Sequence, residues 1–186
     1  MERILLYVHF NKCNHISGHV FYQLEQLKPL FSKIIFISNS PLSNEDKCRL
    51  REDLGIADLL ERDNRGFDFA AWRDGMNWLG FDTLQNSDSL TLMNDTCFGP
   101  LWDLAPIYQR FEEDPQVDFW GMTNFRKTRY FEEHLQSYFV TFKQSVLKDK
   151  SFRECWSQVE DFTDVQDVID HYETQFTKRF VEAGFR

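Results

Sequence analysis

Short, nearly continuous apolar runs alternate with amphipathic segments along this chain. The runs at residues 3–10, 33–38 and 89–93 contain mainly Ile, Leu, Val, Met and Phe, which is typical of strands buried on both faces of a sheet. Between the runs, apolar residues recur every three or four positions, the period of a helix with one buried face. Strands and helices that alternate in this way predict an α/β fold with a mainly parallel sheet.

Capping and stop signals give approximate bounds for the predicted elements. Ser17 and Asp68 are predicted N-caps, Gly80 is a predicted helix end, and Trp72 and Trp78 are both assigned to the core. The predicted strands are 3–10, 33–38, 58–62, 89–93, 117–122 and 138–142, and the predicted helices run from Ser17 through Leu27, over 43–54, from Asp68 to Gly80, from Gly99-Pro100 through Phe111, over 151–159 and over 163–183.

The composition permits one domain with a sizeable core. Of the 186 residues, 42% are hydrophobic and 16% aromatic, which is enough apolar side chain to fill one interior and to exclude a disordered chain. We therefore expect residues 1–186 to form a single domain. Because the sequence stops at a predicted helix end without a tail, we also expect it to be a fragment of a longer protein.

The net charge of −9 argues against two classes of partner. A general nucleic-acid binder needs a basic face, and an anionic membrane surface attracts basic segments. Acidity does not exclude a phosphate-bearing ligand, because a bound metal can supply the positive charge.

Cysteine usage and hydropathy predict the compartment. Cys13, Cys48, Cys97 and Cys155 are scattered without C-x-x-C or metal-ligand spacing, and we interpret them as reduced cytosolic thiols. No stretch approaches the ~20 apolar residues of a membrane-spanning helix. We expect a cytoplasmic domain that does not itself insert into the membrane.

The stretch Asn64-Arg65-Gly66-Phe67-Asp68 opens a predicted helix and is a candidate anion site. Unpaired backbone N–H groups and the helix dipole both point outward from such a turn. In this hypothesis Arg65 pairs with a phosphate, Gly66 permits a backbone conformation or close approach that a side chain would block, and Asp68 accepts from a ribose or base. The alternative for Asp68 is a helix N-cap without a ligand role.

Asn94 and Asp95 come directly after the buried run 89–93 and are a candidate metal site. Ligands of parallel sheets bind beyond the carboxyl ends of the strands, and a carboxylate placed there can hold a divalent cation against phosphates. The alternative is that both residues only form a turn and cap the next segment of the chain. The glycine-bearing turn upstream favours the ligand role.

Glu173 is the candidate general base. It shares one helical stripe with Ile169, Phe176 and Phe180, and a carboxylate on an apolar face is costly unless it is partnered or faces a ligand. The alternative is that Glu173 lies at the edge of the stripe and reaches solvent.

The histidines and the absent motifs narrow the choice of function. His15 and His19 lie four residues apart without an H-E-x-x-H pattern and are assigned surface or capping roles, whereas His9 and His134 are placed at a cleft near strand ends. The sequence contains no G-x-S-x-G, P-loop or G-x-G-x-x-G motif, which weakens hydrolase, NTPase and dinucleotide-binding interpretations.

In these residues the chain resembles the rhamnan synthesis protein F family, glycosyltransferase-like proteins of bacterial rhamnose-polysaccharide assembly. The matching stretches span nearly the whole chain in order: NRGFDFAAWRDG, MNDTCFGP, DFWGMT, HLQSYFVTF and HYETQFTKRFVEAGF. The resemblance implies a GT-A-like (Rossmann-like) three-layer sandwich around a mainly parallel sheet. It also implies transfer of L-rhamnose from a dTDP donor, and a longer whole protein.

The resemblance implies roles for individual residues as well. Asn64, Arg65, Gly66 and Asp68 match the nucleotide-contacting segment of GT-A enzymes. Asn94-Asp95 takes the place of their metal-binding D-x-D, for Mg²⁺ or Mn²⁺, and Glu173 lies where inverting members carry an acidic base. Here two carboxylates are reduced to one carboxylate and an amide, so metal dependence does not follow from the resemblance.

The leading hypothesis is an inverting rhamnosyltransferase domain of cell-wall or surface polysaccharide assembly. Its partners would be a nucleotide-sugar donor and a growing glycan, lipid-linked or free, at the inner face of the membrane through parts outside this chain. One alternative is a non-catalytic sugar-nucleotide or glycan-binding module. Another is a nucleotidyltransferase, which would need a Gly-rich triphosphate loop that the segment HFNKCNHISG lacks.

Overall fold

A six-stranded, mainly parallel sheet forms the centre of the computed structural model, which describes residues 1–186. The strand order is β3-β2-β1-β4-β8-β5, and only β8 runs antiparallel to its neighbours. The six strands are β1 (Arg3–His9), β2 (Lys33–Ser38), β3 (Asp58–Glu61), β4 (Ser89–Asn94), β5 (Phe119–Gly121) and β8 (Phe139–Lys143), and a separate hairpin pairs β6 (Asn124–Phe125) with β7 (His134–Leu135).

Nine α-helices surround the sheet. They are α1 (Gly18–Leu27), α2 (Asn44–Cys48), α3 (Phe67–Leu79), α4 (Phe81–Asn86), α5 (Ala105–Glu113), α6 (Gln144–Leu147), α7 (Lys150–Ser157), α8 (Val165–Val168) and α9 (Thr174–Glu182). Wide π-type turns at Arg49–Asp53 and Ile169–Glu173 extend α2 and join α8 to α9. None of these helices combines the length and apolar character that crossing a bilayer requires.

The apolar residues of the strands supply two cores, one on each face of the sheet. Alternate residues of β1 point to opposite faces, so Leu6 packs with α3, α7 and α9 while Tyr7 packs with α1 and α5. Trp72, Trp156 and Phe176 fill the first core around Phe69, and the centroids of neighbouring rings lie 5.4–6.5 Å apart. The predicted three-layer α/β sandwich with a mainly parallel sheet is confirmed.

The strand order reverses between β1 and β4, and we refer to the carboxyl ends of these two strands as the crevice. The chain runs from β1 outward through β2 to β3, and then returns to the other side of β1 as β4. The loops that leave β1 and β4 both lead to the face that packs against α1 and α5, whereas α3, which follows β3, packs on the other face. Ligands of open α/β sheets bind at such a point, beyond the carboxyl ends of the strands.

Three expectations about helices are wrong. The helix expected from Gly99-Pro100 begins at Ala105, and Leu101 before it is largely exposed, because residues 97–104 instead run as an irregular segment over α1. The N-cap of α3 is Gly66 rather than Asp68, because left-handed backbone at Gly66 starts the helix two residues earlier. The single helix expected over 163–183 is divided by the wide turn at Ile169–Glu173.

One core assignment is also wrong, and three short elements were not predicted. Trp78 is 50% exposed, because it lies on the opposite side of α3 from Trp72, which is buried. The hairpin β6–β7 and the helices α4 and α6 have only two to six residues each, too few to give a periodic pattern.

Gly66→Ala is expected to lower the free energy of unfolding by about 2–4 kcal/mol, because left-handed backbone and overpacking both penalise a side chain. Gly66 has φ +67°, and a Cβ there would lie 2.4 Å from Cβ of Ala70 and 3.0 Å from the backbone of residues 160 and 161. Urea unfolding would measure the change.

Gly18→Ala is the matched control, because a Cβ at Gly18 would meet nothing within 4 Å. Its stability is expected to stay within about 0.5 kcal/mol of the wild type. Equal midpoints for the two variants would contradict the close approach at Gly66.

Candidate functional site

Polar contacts join the segments that follow β1 and β4 at the crevice. The backbone N–H of Phe10 donates to Oδ2 of Asp95 at 3.2 Å. A ring nitrogen of His19, on α1, lies 3.2 Å from the backbone carbonyl oxygen of Asp95. Asp95 therefore lies at the crevice, as expected for a residue that directly follows a buried strand.

Asn94 is buried, and its amide group makes three hydrogen bonds. Its Nδ2 donates to Oδ2 of Asp68 at 2.7 Å. Its Oδ1 accepts from the backbone N–H of Thr96 at 3.2 Å and from the Thr96 hydroxyl at 2.6 Å. Because both lone pairs of the amide oxygen are occupied, Asn94 orients Asp68 and the turn after β4 in this structure.

Asp68 is the carboxylate with the most perturbed titration. Burial raises the pKa of Asp68 to about 6, the Asn94 hydrogen bond lowers it, and the charges of Asp95 and Glu173 raise it further. The side chain keeps some solvent access even though protein surrounds most of it, as expected for the floor of a cleft. A carboxylate of this kind in a cleft is a typical functional-site residue.

Asp95 retains one free carboxylate oxygen. Burial raises the pKa of Asp95, while the Phe10 N–H and the charges of His9 and His19 oppose that shift. Oδ1 of Asp95 makes no hydrogen bond within the protein, whereas Oδ2 accepts from Phe10. Asp95 can therefore accept a cation or a donor group at Oδ1 without losing an existing contact.

Glu173 is half-buried at the wide turn before α9, beside the buried Phe176. Ser137 donates its hydroxyl to Oε1 of Glu173 at 3.0 Å, and Oε2 makes no hydrogen bond within the protein. The backbone carbonyl oxygen of Tyr138, the residue after Ser137, accepts a hydrogen bond from the backbone N–H of Asn94 at 3.2 Å. Glu173 is thus held beside the end of β4, and its charge acts on Asp68.

The N-terminus of α3 contributes backbone and side-chain groups. Gly66 and Phe67 both have positive φ, +67° and +50°, and the N–H of Gly66 donates to the carbonyl of Phe162 at 2.7 Å. The N–H groups of the first helical turn beyond Gly66 have no partner within the helix. The side chains of Asn64 and Arg65 make no hydrogen bond or ion pair within the protein, and Arg65 is exposed.

Arg62 and Asn39 are site residues that the sequence analysis missed. Arg62 follows β3, donates to Oδ1 of Asn39 after β2 at 2.8 Å and donates to Asp74 of α3 at 2.8 Å. The charge of Arg62 also lowers the pKa of Asp68. Both residues directly follow a strand of the sheet, as Asp95 does, and this position is the signal that could have found them.

The structure therefore brings Asp68, Asn94, Asp95 and Glu173 together around one crevice. Arg65 reaches solvent at its border and contacts none of these four side chains. No group of three or more His, Cys, Asp and Glu side chains is close enough together to hold a metal ion. His9 lies at the crevice as expected, with Nδ1 3.0 Å from the Ser38 hydroxyl, whereas His134 packs against Phe125 of the hairpin.

Comparison with known proteins gives the family. The model described as Rhamnan synthesis protein F matches residues 34–186, which include every one of these crevice residues except His9, Phe10 and His19. The chain belongs to the rhamnan synthesis protein F family.

Two curated relatives are similar to this family member. "Uncharacterized protein y4gN" of Sinorhizobium fredii (strain NBRC 101917 / NGR234) is 31% identical over 167 residues, which are 89% of this chain and 43% of that protein. "Virulence protein VirA" of Vibrio anguillarum is 28% identical over 131 residues, 69% of this chain and 40% of that protein. The chain therefore spans less than half the length of these relatives.

Among solved structures, 4-diphosphocytidyl-2C-methyl-D-erythritol synthase aligns with 91% of this chain and 96% of its own. The TM-score is 0.45 and the identity 10%. At these values the likeness carries no functional conclusion.

Asp68→Asn is expected to stabilise the fold more at neutral pH than in acid. The pKa of about 6 in the folded protein exceeds the usual unfolded value, so the native state binds more protons between the two values and the free energy of unfolding falls as pH rises through them. The amide side chain of the variant does not ionise, so the free energy of unfolding of Asp68→Asn lacks this fall at higher pH.

Urea unfolding near pH 4 and near pH 7 would measure the difference between variant and wild type. We expect it to grow by on the order of 1–3 kcal/mol towards neutral pH, after allowance for partial solvent access. A difference that does not change with pH would contradict the described environment of Asp68.

Proposed function

We propose that this chain is the donor-binding and catalytic domain of an inverting glycosyltransferase. The observation that carries the proposal is the convergence of Asp68, Asp95 and Glu173 on the crevice between β1 and β4, beside the N-terminus of α3. A helix N-terminus suits phosphates, and acidic groups near it suit a divalent cation, a sugar hydroxyl and a proton transfer.

The diphosphate of the donor would lie against the first turn of α3. The N–H groups beyond Gly66 and the positive end of the helix dipole attract it there. Arg65 has no partner in the protein and would pair with a phosphate from the border of the crevice. Asn64 and Asp68 would bind hydroxyl or base groups of the nucleoside or sugar.

The residues at the end of β4 fit a divalent cation held through Asp95. Its Oδ1 is free, and Mg²⁺ and Mn²⁺ accept one or two carboxylates together with substrate phosphates. Asn94, whose oxygen already accepts twice, would instead orient Asp68 and would ligate only if Thr96 moved. When bound, such a cation would offset the negative charge that builds on the departing diphosphate.

Glu173 would act as the general base. Its Oε2 would accept the proton of the acceptor hydroxyl as that oxygen forms a bond to the anomeric carbon. The bond from the anomeric carbon to the diphosphate oxygen breaks on the opposite face, and its electron pair leaves with the diphosphate. Ser137 fixes the orientation of the carboxylate through Oε1. Inversion follows if this single displacement is the only one.

The donor and acceptor are proposed from the family. The name of the family supports L-rhamnose as the transferred sugar, and we propose a dTDP-linked donor and a growing glycan, lipid-linked or free, as the acceptor. Assembly of such a polysaccharide would occur in the cytoplasm at the inner face of the membrane, through parts of a longer protein.

Asp95→Ala is expected to abolish transfer and the metal-dependent part of donor binding, because Asp95 is the free carboxylate of the crevice. A thermal-shift series with dTDP, with and without Mn²⁺, measures the metal-dependent binding, because a ligand that binds only the native state raises the melting temperature. Asp82→Ala, which removes an exposed carboxylate of α4, is the control and should keep the wild-type shift. An unchanged Mn²⁺-dependent shift in Asp95→Ala would remove the metal role.

Glu173→Gln is expected to lower kcat by about 10²–10⁴-fold while leaving dTDP binding within about twofold, because the amide cannot accept the proton. Steady-state transfer kinetics and dTDP titration give the two values. Glu182→Gln changes an exposed carboxylate of α9 and serves as the matched control. Parallel losses of turnover and binding in Glu173→Gln would indicate a structural role.

A non-catalytic sugar-nucleotide-binding module is the second candidate, and the occupied oxygen of Asn94 favours it. A cation would then rest on one carboxylate, which is sufficient for binding but weak for catalysis. Calorimetry with dTDP and Mn²⁺ together with an assay of donor hydrolysis distinguishes the candidates. Binding with no turnover of any donor would support the module.

A further inference from the structure

A second, uncharged cavity lies beside the crevice, on the face of the sheet that packs against α1 and α5. Its volume is about 370 Å³ and fourteen residues line it. Three of them are unusually exposed for their type: Phe98 by 78%, Leu101 by 80% and Trp102 by 67%. A cavity of this size is in the range of small-ligand sites.

The cavity adjoins the proposed catalytic residues along two stretches of chain. Met93 and Cys97 line it and flank the Asn94–Asp95 pair. Tyr138 lines it and follows Ser137, which holds Glu173. A ligand that fills the cavity therefore has one end beside the end of β4, next to Asp95 and next to Ser137, which holds Glu173.

Residues 97–104 form the outer wall of the cavity and are fixed to α1. Gln23 donates to the carbonyl of Cys97 at 3.1 Å, and the Tyr22 hydroxyl donates to the carbonyl of Pro100 at 3.3 Å. The ring of Phe98 lies 4.5 Å from that of His19. The wall is thus held by these contacts at residues 97–100 and by the buried Leu104 at its other end.

The chemistry of the lining selects one kind of ligand. No Asp, Glu, Lys, Arg or His is among the lining residues, although charged residues make up 27% of the chain, so a phosphate or uronate finds no counter-charge there. Aromatic faces are supplied by Trp102, Phe98 and Tyr138. The Tyr138 hydroxyl makes no hydrogen bond within the protein. The Thr123 hydroxyl donates to Oε1 of Gln136 at 2.7 Å, so its oxygen can still accept a hydrogen bond.

We propose that this cavity binds neutral sugar rings of the acceptor glycan, through stacking on Trp102 and Phe98 and hydrogen bonds to Tyr138 and Thr123. The apolar faces of a neutral pyranose suit the aromatic rings, and its hydroxyl edge suits the two polar groups. The proposal rests on the proposed transferase function, because only a transferase needs an acceptor beside Asp95 and Glu173. It assigns the acceptor to the α1 side of β4 and the donor to the α3 side.

The test is sugar binding by the full chain in the presence of dTDP and Mn²⁺, measured by saturation-transfer NMR. The probes are a neutral rhamnose trisaccharide, a uronate trisaccharide of the same length, and octanol as a purely apolar probe. Trp102→Ala is compared with Trp78→Ala, which removes an exposed tryptophan of α3 outside the cavity. Both side chains are largely exposed, so both variants are expected to fold.

The neutral trisaccharide is expected to bind, and Trp102→Ala is expected to weaken it by about three- to tenfold, the range for loss of one stacked ring. Trp78→Ala should leave it unchanged, and dTDP binding should be the same in all three proteins. Equal trisaccharide binding in the two variants, preference for the uronate, or binding of octanol alone would overturn the proposal. If the wild type binds dTDP, any of these results contradicts only the sugar-binding role of the cavity and leaves the transferase function standing. If the wild type does not bind dTDP, the result contradicts the transferase function instead.

Discussion

The contact between the start of α3 and residues 159–162 determines where the acidic groups of the cleft lie. Gly66 donates to the carbonyl of Phe162, and Arg73 donates to the carbonyl of Val159 and to Asp161 at 2.7 and 2.8 Å. A side chain at Gly66 would prevent this approach. Because residues 159–162 lead into the turn that carries Glu173, the contact brings the C-terminal part of the chain to the end of β4.

Three nearby carboxylates make the cleft electrostatically unfavourable in the free protein. The raised pKa values of Asp68 and Asp95 both have burial as their main cause, and the charges of Asp95 and Glu173 add to the shift of Asp68. A bound cation would relieve this repulsion, and Asp95 has an oxygen free to accept one at the end of β4. In the proposed function, such a cation would let a chain with a net charge of −9 bind an anionic donor.

Much of the fold could be predicted, because strands buried on both faces give continuous apolar runs. β2 has the predicted bounds, and β1 and β4 differ by one residue. The predictions failed where burial depends on distant partners. Gly99-Pro100 resembles a helix start, but Tyr22 and Gln23 of α1 hold the segment after it in an irregular path. Trp78 has the composition of a core residue but lies on the outer side of α3.

Four residues of the candidate site could be selected from the sequence, whereas Arg62 and Asn39 were missed and the contacts among the site residues could not be predicted. Asp95, Asn94, Asp68 and Glu173 were each selected by position after a strand or on a helix, and they converge. No pattern in the sequence shows that Asn94 bonds Asp68, that Thr96 occupies the Asn94 oxygen, or that Ser137 holds Glu173, since these partners lie up to 36 residues apart and depend on the packing of the completed sheet.

Paramagnetic broadening of backbone amide NMR signals by Mn²⁺ and dTDP tests most directly whether the ligand binds in the crevice between β1 and β4, with Mg²⁺ and dTDP as the diamagnetic control. Signals of Phe10, Phe67 and Asp95 are predicted to broaden first, because these amides surround the proposed site. Broadening confined to the opposite end of the sheet, at Asp88 and Asp118, or none at saturating dTDP, would contradict that location.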